Sequence, residues 1–154
     1  MSDVELTKII AASPDRLYAL VSDLPRMGEW SPENNGGEWM QGATGPAVGA
    51  KFKGKNSHGK RRWSTLATVV TADPGREFTF NVTSTGLKVA QWGYRLSAVD
   101  GGTAVTEHWT DHRSAIIAKI TGLVVGVSDR VAHNREGIEH TLERLAAAAS
   151  ADEK

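Results

Sequence analysis

The sequence predicts an α+β domain, on two observations. Residues 38–112 alternate apolar and polar side chains at period two and are broken by glycine-containing turns, the pattern of antiparallel strands. Residues 128–149 place Val131, Ile138, Leu142, Leu145 and Ala149 on one face of a helix, with charges such as Asp129, Arg135, Glu139 and Glu143 on the other. That helix needs an apolar surface, and a run of strands with helices segregated from it can provide one.

In chain order, Val4, Leu6 and Ile9 against Glu5, Thr7 and Lys8 predict a first strand over residues 4–11. Ser13-Pro14-Asp15 then announces a helix: serine caps free amides, proline is tolerated at the first position, and an early acid meets the positive end of the dipole. Leu17, Leu20, Val21 and Leu24 mark its buried face, and Pro25 stops it or starts a second short helix. A helical turn and loop through Trp30 and Pro32 lead past Gly36-Gly37 into a strand from Glu38. Residues 51–57 and 61–71 form a hairpin around Gly59, and Asp73-Pro74-Gly75 turns the chain into a strand carrying Phe78, Phe80 and Val82. Trp92, Tyr94 and Leu96 alternate on the next strand, and Asp100-Gly101-Gly102 leads into the last, residues 103–112, with Val105, Glu107, Trp109 and Asp111 on one face. Residues 114–127 are apolar at helical spacing with only Lys119 charged; they read as a flap hinged at Gly122 and Gly126, or as an extension of the terminal helix.

Length and composition bound the function. The 154 residues fit one domain, expected over 1–149 with a disordered tail at 150–154, and a chain of this size buries roughly two thirds of its unfolded surface. There is no cysteine, so disulfides, thiol catalysis and cysteine-ligated metals are excluded. The 18 basic residues balance 18 acidic ones, which gives no global case for nucleic acid. The first ten residues lack a signal-peptide pattern, and the apolar segment at 114–127 is too short to span a bilayer, so a cytoplasmic location without stable membrane insertion is expected. Five tryptophans against three phenylalanines suit a core or a ligand cavity.

Several of these pieces, in this order, resemble the SRPBCC (START-like) superfamily, in its polyketide cyclase/dehydrase and lipid-transport subgroup common in actinobacteria. They are Ser13-Pro14-Asp15, Trp30-Ser31-Pro32, residues 73–78 (DPGREF), residues 102–107 (GTAVTE), and residues 134–139 (NREGIE) with Thr141, Leu142 and Leu145. The resemblance covers residues 4–149. It implies a helix-grip fold: a curved antiparallel sheet of about six to seven strands around a long C-terminal helix, with two short helices after the first strand. It also implies a deep apolar cavity, but no particular reaction.

In such a fold the inward strand faces line the cavity, so alternation sorts the candidates. Val105 faces inward and Glu107 and Trp109 share its side; a carboxylate between valine and tryptophan is desolvated, its pKa raised, fit to act as acid, base or anchor. The plain alternative pairs Glu107 with Arg95 of the neighbouring strand or leaves it near the rim in water. Phe80, Trp92 and Tyr94 stand in aromatic rows that serve as core and ligand wall at once. Trp30 and Trp39 flank the expected mouth, as ligand contacts or as plugs, and Ile120 and Val124 belong to the apolar segment over it. Asn134 interrupts the apolar stripe and must bond a strand backbone or a ligand.

No metal and no cofactor is expected. His108 and His112 lie about 13 Å apart along a strand, on the face opposite Glu107, and His133 and His140 read as exposed. HExxH, nucleophile-elbow, Walker and GxGxxG motifs are absent. The basic hairpin, Lys51, Lys53, Lys55, Lys60, Arg61 and Arg62, reads as a solvated stripe, or as a patch for an anionic membrane, an acyl-carrier protein or, least favoured, a nucleic acid.

The first expectation is binding or transport of a hydrophobic small molecule, such as a lipid, fatty-acyl or polyketide-like compound. The second is an aromatase/cyclase-type enzyme, an acid–base cyclase or dehydratase without metal using Glu107. The third is a stress- or toxin-associated interaction protein using the basic hairpin. A weak homodimer remains open.

Overall fold

A computed structural model describes residues 2–127 and 129–151. Its strands are β1 (Val4–Ile10), β2 (Asn34–Trp39), β3 (Lys51–His58), β4 (Arg61–Asp73), β5 (Glu77–Ser84), β6 (Leu87–Val99) and β7 (Gly102–Asp111). Its helices are α1 (Pro14–Val21), α2 (Ala115–Val125) and α3 (Arg130–Ala151), with a 3-10 helix at Leu24–Glu29. The strands form one antiparallel sheet in the order β1-β7-β6-β5-β4-β3-β2. This is the helix-grip arrangement: a seven-stranded sheet curved around a long C-terminal helix. Extra residues in the ladder, Val70 in β4 opposite β5 and Val89 in β6 opposite β5, supply bends.

Short-range chemistry sets the elements. Ser13 caps α1 by accepting from the Arg16 amide at 3.1 Å. The buried face of α1, Leu17, Leu20 and Val21, joins Phe78, Leu96 and Val105 in the core, and Tyr18 meets Phe78 edge-on at 6.2 Å. From its third turn on, α3 adds Ile138, Leu142, Leu145 and Ala149. One end of the concave sheet face is thus filled, and the other end is left open.

The structure revises several expectations. β2 starts at Asn34 rather than Glu38, because Gly36 and Gly37 adopt positive φ within a bulged strand. Val131 is 45% exposed and does not grip the sheet. The segment at 114–127 is not an extension of α3: α2 is a separate helix, capped by Ser114 and ended by Gly126 in the left-handed region at φ 78°. Ser128, expected to start the terminal helix, lies outside the described residues, as do 152–154 of the expected tail; α3 continues to Ala151.

On the convex face, Gly93 lets His108 and Thr79 converge. A Cβ at position 93 meets His108 Nε2 and Thr79 Oγ1, each at 2.5 Å. Gly93→Ala is therefore expected to cost roughly 1–3 kcal/mol through overpacking, measurable by urea denaturation.

Candidate functional site

The open end of the fold is a cavity of about 250 Å³. Registered rows of inward side chains build its walls. Phe52, Ala67, Val82 and Ala90 oppose one another across β3 to β6, and Phe80, Trp92 and Trp109 across β5 to β7. Trp92 and Trp109 lie 6.3 Å apart with their rings tilted by 45°. α3 closes the cavity with Asn134, Gly137 and Thr141, and α2 contributes Thr121 and Val124. Gly137 is informative: a Cβ there meets nothing within 4 Å. A helix-interior glycine costs about 1 kcal/mol relative to alanine, so α3 gives up stability where a side chain would enter the cavity.

Glu107 lies deep in the cavity. It is 3% exposed, its Oε1 accepts a hydrogen bond from Tyr94 Oη at 3.1 Å, and among the described residues its Oε2 has no partner. Burial pushes its carboxyl up to about 8, against a smaller downward pull from the Tyr94 hydrogen bond. Burial and the adjacent Glu107 likewise raise the Tyr94 phenol well above its usual range. At neutral pH the pair is therefore a neutral acid and a neutral phenol, with one carboxyl oxygen free for a ligand. The pairing of Glu107 with Arg95 does not occur: Arg95 faces the convex side and pairs with Glu5.

The rim is polar. Arg113 binds Asp111 through Nε, Nη2 and its backbone amide, and donates Nη1 to Thr121 at 2.8 Å. Burial raises the Asp111 pKa, but the Arg113 hydrogen bonds and charge, with Arg130 behind them, outweigh it and hold it below the usual range. Asp111 is thus an ionised anchor, whereas Glu107 is protonated. Across the rim, Glu33 accepts from Arg130 and from His133 Nε2. His133 is half-buried against Glu33 and His58, not an exposed helix histidine.

Of the residues singled out by sequence, Glu107, Phe80, Trp92, Tyr94, Trp109, Val124 and Asn134 border the cavity. Four stand elsewhere. Trp30 is buried beneath the Arg26 guanidinium, Trp39 packs edge-on against Phe52, Val105 lies in the filled core, and Ile120 points outward, 51% exposed. The cavity also takes in Phe52, Asn56 and Trp63, inward by period two, and the rim residues Glu33, Arg113, Arg130 and His133. Among the described residues no cluster of three or more His, Asp or Glu is placed to hold a metal. None of the described helices is long and apolar enough to cross a membrane.

Sheet, gripping helix and apolar cavity together define a helix-grip protein of the SRPBCC (START-like) kind. The chain belongs to the polyketide cyclase/dehydrase and lipid-transport family, whose model matches residues 1–150. Among solved structures it is similar to the Polyketide_cyc-like protein Cgl2372 of Corynebacterium glutamicum, at 30% identity and TM-score 0.59, covering 97% of this chain and 90% of that one. It shares its fold with CV1439 of Chromobacterium violaceum, at 16% identity and TM-score 0.65, covering 94% and 95%. It shares it too with the di-domain aromatase/cyclase StfQ of the steffimycin biosynthetic pathway, at 13% identity and TM-score 0.74, covering 97% of this chain and 50% of that one. Among curated proteins none matches at a significant level.

Proposed function

We propose that this protein binds an apolar small molecule of lipid, fatty-acyl or polyketide-like character, with one hydrogen-bonding oxygen of the ligand at Glu107. The carrying observation is a cavity walled by Phe80, Val82, Trp92 and Trp109 in which a single protonated carboxyl keeps one oxygen free. Ligand sites generally combine such walls with a few placed polar groups. Family membership supports the same ligand class.

Gly137→Leu tests this without disturbing the fold, since the new side chain enters open space and leucine is a better helix former than glycine. Expected is a loss of binding of the apolar fluorophore N-phenyl-naphthylamine by tenfold or more, with a melting temperature equal to or above that of the wild type. Undiminished binding in the folded variant would place the probe elsewhere and count against the cavity as the site.

A second reading, acid–base cyclisation or dehydration, draws on the same carboxyl. With its proton retained to about 8, Glu107 can donate to a ligand carbonyl and take the proton back near neutral pH. Glu107→Gln separates the two readings. Turnover lost with binding nearly intact marks an acid catalyst; binding and activity lost together mark an anchor.

A further inference from the structure

α2 breaks the usual burial rule. Its sequence, AIIAKITGLVV, has one charge, yet none of its described side chains is buried. Ile116 is 73% exposed, Ile120 51% and Leu123 74%. These three follow at i, i+4 and i+7 and so share one face with Lys119, while Thr121 and Val124 turn toward the cavity. A helix apolar on all sides is normally covered. The apolar surface also continues beyond α2. Leu87, which opens β6 opposite the cavity-lining Ser84, is exposed, as is Val131, next to the cavity-lining Arg130.

Cations predominate around this surface. Arg61 lies over Gly126 at the end of α2, with Lys60 and Arg62 beside it in the exposed tip of the β3–β4 hairpin, and Lys88 follows Leu87. The acids of the rim are committed: Glu33 to Arg130 and His133, and Asp111 to Arg113. Asp129 receives the Ala132 amide of its own helix. A second copy is a poor occupant, because a two-fold interface would set the cations against their own images. An exposed apolar ridge ringed by uncompensated lysine and arginine matches an anionic lipid surface, where basic residues meet headgroups and apolar side chains enter the acyl boundary.

We infer that the end of the molecule formed by α2 and the β3–β4 hairpin docks on an anionic membrane surface. Ile116, Ile120 and Leu123 enter the interface, Lys60, Arg62, Lys88 and Lys119 meet lipid phosphates, and the cavity mouth is held against the bilayer. This is peripheral attachment rather than insertion across the bilayer.

Flotation with phosphatidylcholine vesicles, alone or mixed with phosphatidylglycerol, tests it. The protein should float with the mixed vesicles, weakly or not at all with the neutral ones, and less as salt rises. Ile116→Ser and Leu123→Ser should each weaken binding roughly tenfold, and Lys60→Gln and Arg62→Gln each about fivefold. Circular dichroism should be unchanged, since all four positions are exposed. Gly137→Leu should float like the wild type, which separates docking from cavity occupancy. Failure to float with mixed vesicles, or flotation indifferent to these substitutions, overturns the proposal. So does a dimer in light scattering that Leu123→Ser dissolves, which would assign the face to a second copy.

Discussion

Replacing Glu107 by glutamine should make the protein more stable than the wild type at about pH 8 and leave it nearly unchanged at about pH 5, by an amount set by linkage. The carboxyl has its reference value of 4.5 when the chain is unfolded and about 8 when folded. Between those values the folded state holds a proton that the unfolded state has released. The stability associated with the raised pKa is full below the lower value and is lost as pH rises through the upper one. One pKa unit corresponds to 1.36 kcal/mol, so the loss across the window is on the order of 3–5 kcal/mol. Glutamine has nearly the same shape and does not titrate, so the variant lacks this slope. Comparing the two proteins by urea denaturation across the window isolates Glu107. Other titrations, such as that of His108, whose pKa burial and Arg95 depress, occur in both and cancel in the difference. Parallel profiles would mean that the carboxyl is ionised throughout and that the acid role is wrong.

The second large effect lies in the grip of α3. Leu145 is 0% exposed, in the cluster that joins the helix to β1, β7 and α1. Leu145→Ala should cost about 3 kcal/mol, within the 2–5 usual for a buried leucine, as transfer energy plus a cavity. Val131→Ala, on the same sequence stripe but 45% exposed, should stay within about 0.5 kcal/mol. Urea midpoints of the two variants check the contrast. Equal costs would mean that the whole stripe is buried and that the N-terminal half of α3 is not held off the sheet.

That contrast marks where sequence reading succeeds and where it stops. Strand alternation survives in the fold because one face of each strand is packed or cavity-facing, so Phe80, Trp92 and Glu107 could be placed inward from period two. Register was legible as well. The Asp100-Gly101 turn pairs Val99 with Gly102, and counting back along both strands sets Tyr94 against Glu107 and Arg95 against Thr106 on the other face. The alternative pairing of Glu107 with Arg95 fails on that count alone. Helical spacing, by contrast, reports a face and not what covers it. Val131 and Ile138 look alike in sequence, yet one is 45% exposed and the other 1%. The Glu33 contact with His133 joins residues 100 apart, for which no local pattern exists. Gly137 reads as a weak spot in a helix until the space beside it is seen.

Whether a ligand sits between the sheet and α3 is decided by native mass spectrometry of the protein purified from its own organism, beside Gly137→Leu prepared in the same way. A co-purifying apolar molecule is expected on the wild type, retained under gentle activation and absent from the variant. A clean apo mass for both, or an adduct equally abundant on both, would contradict a ligand held between the sheet and α3.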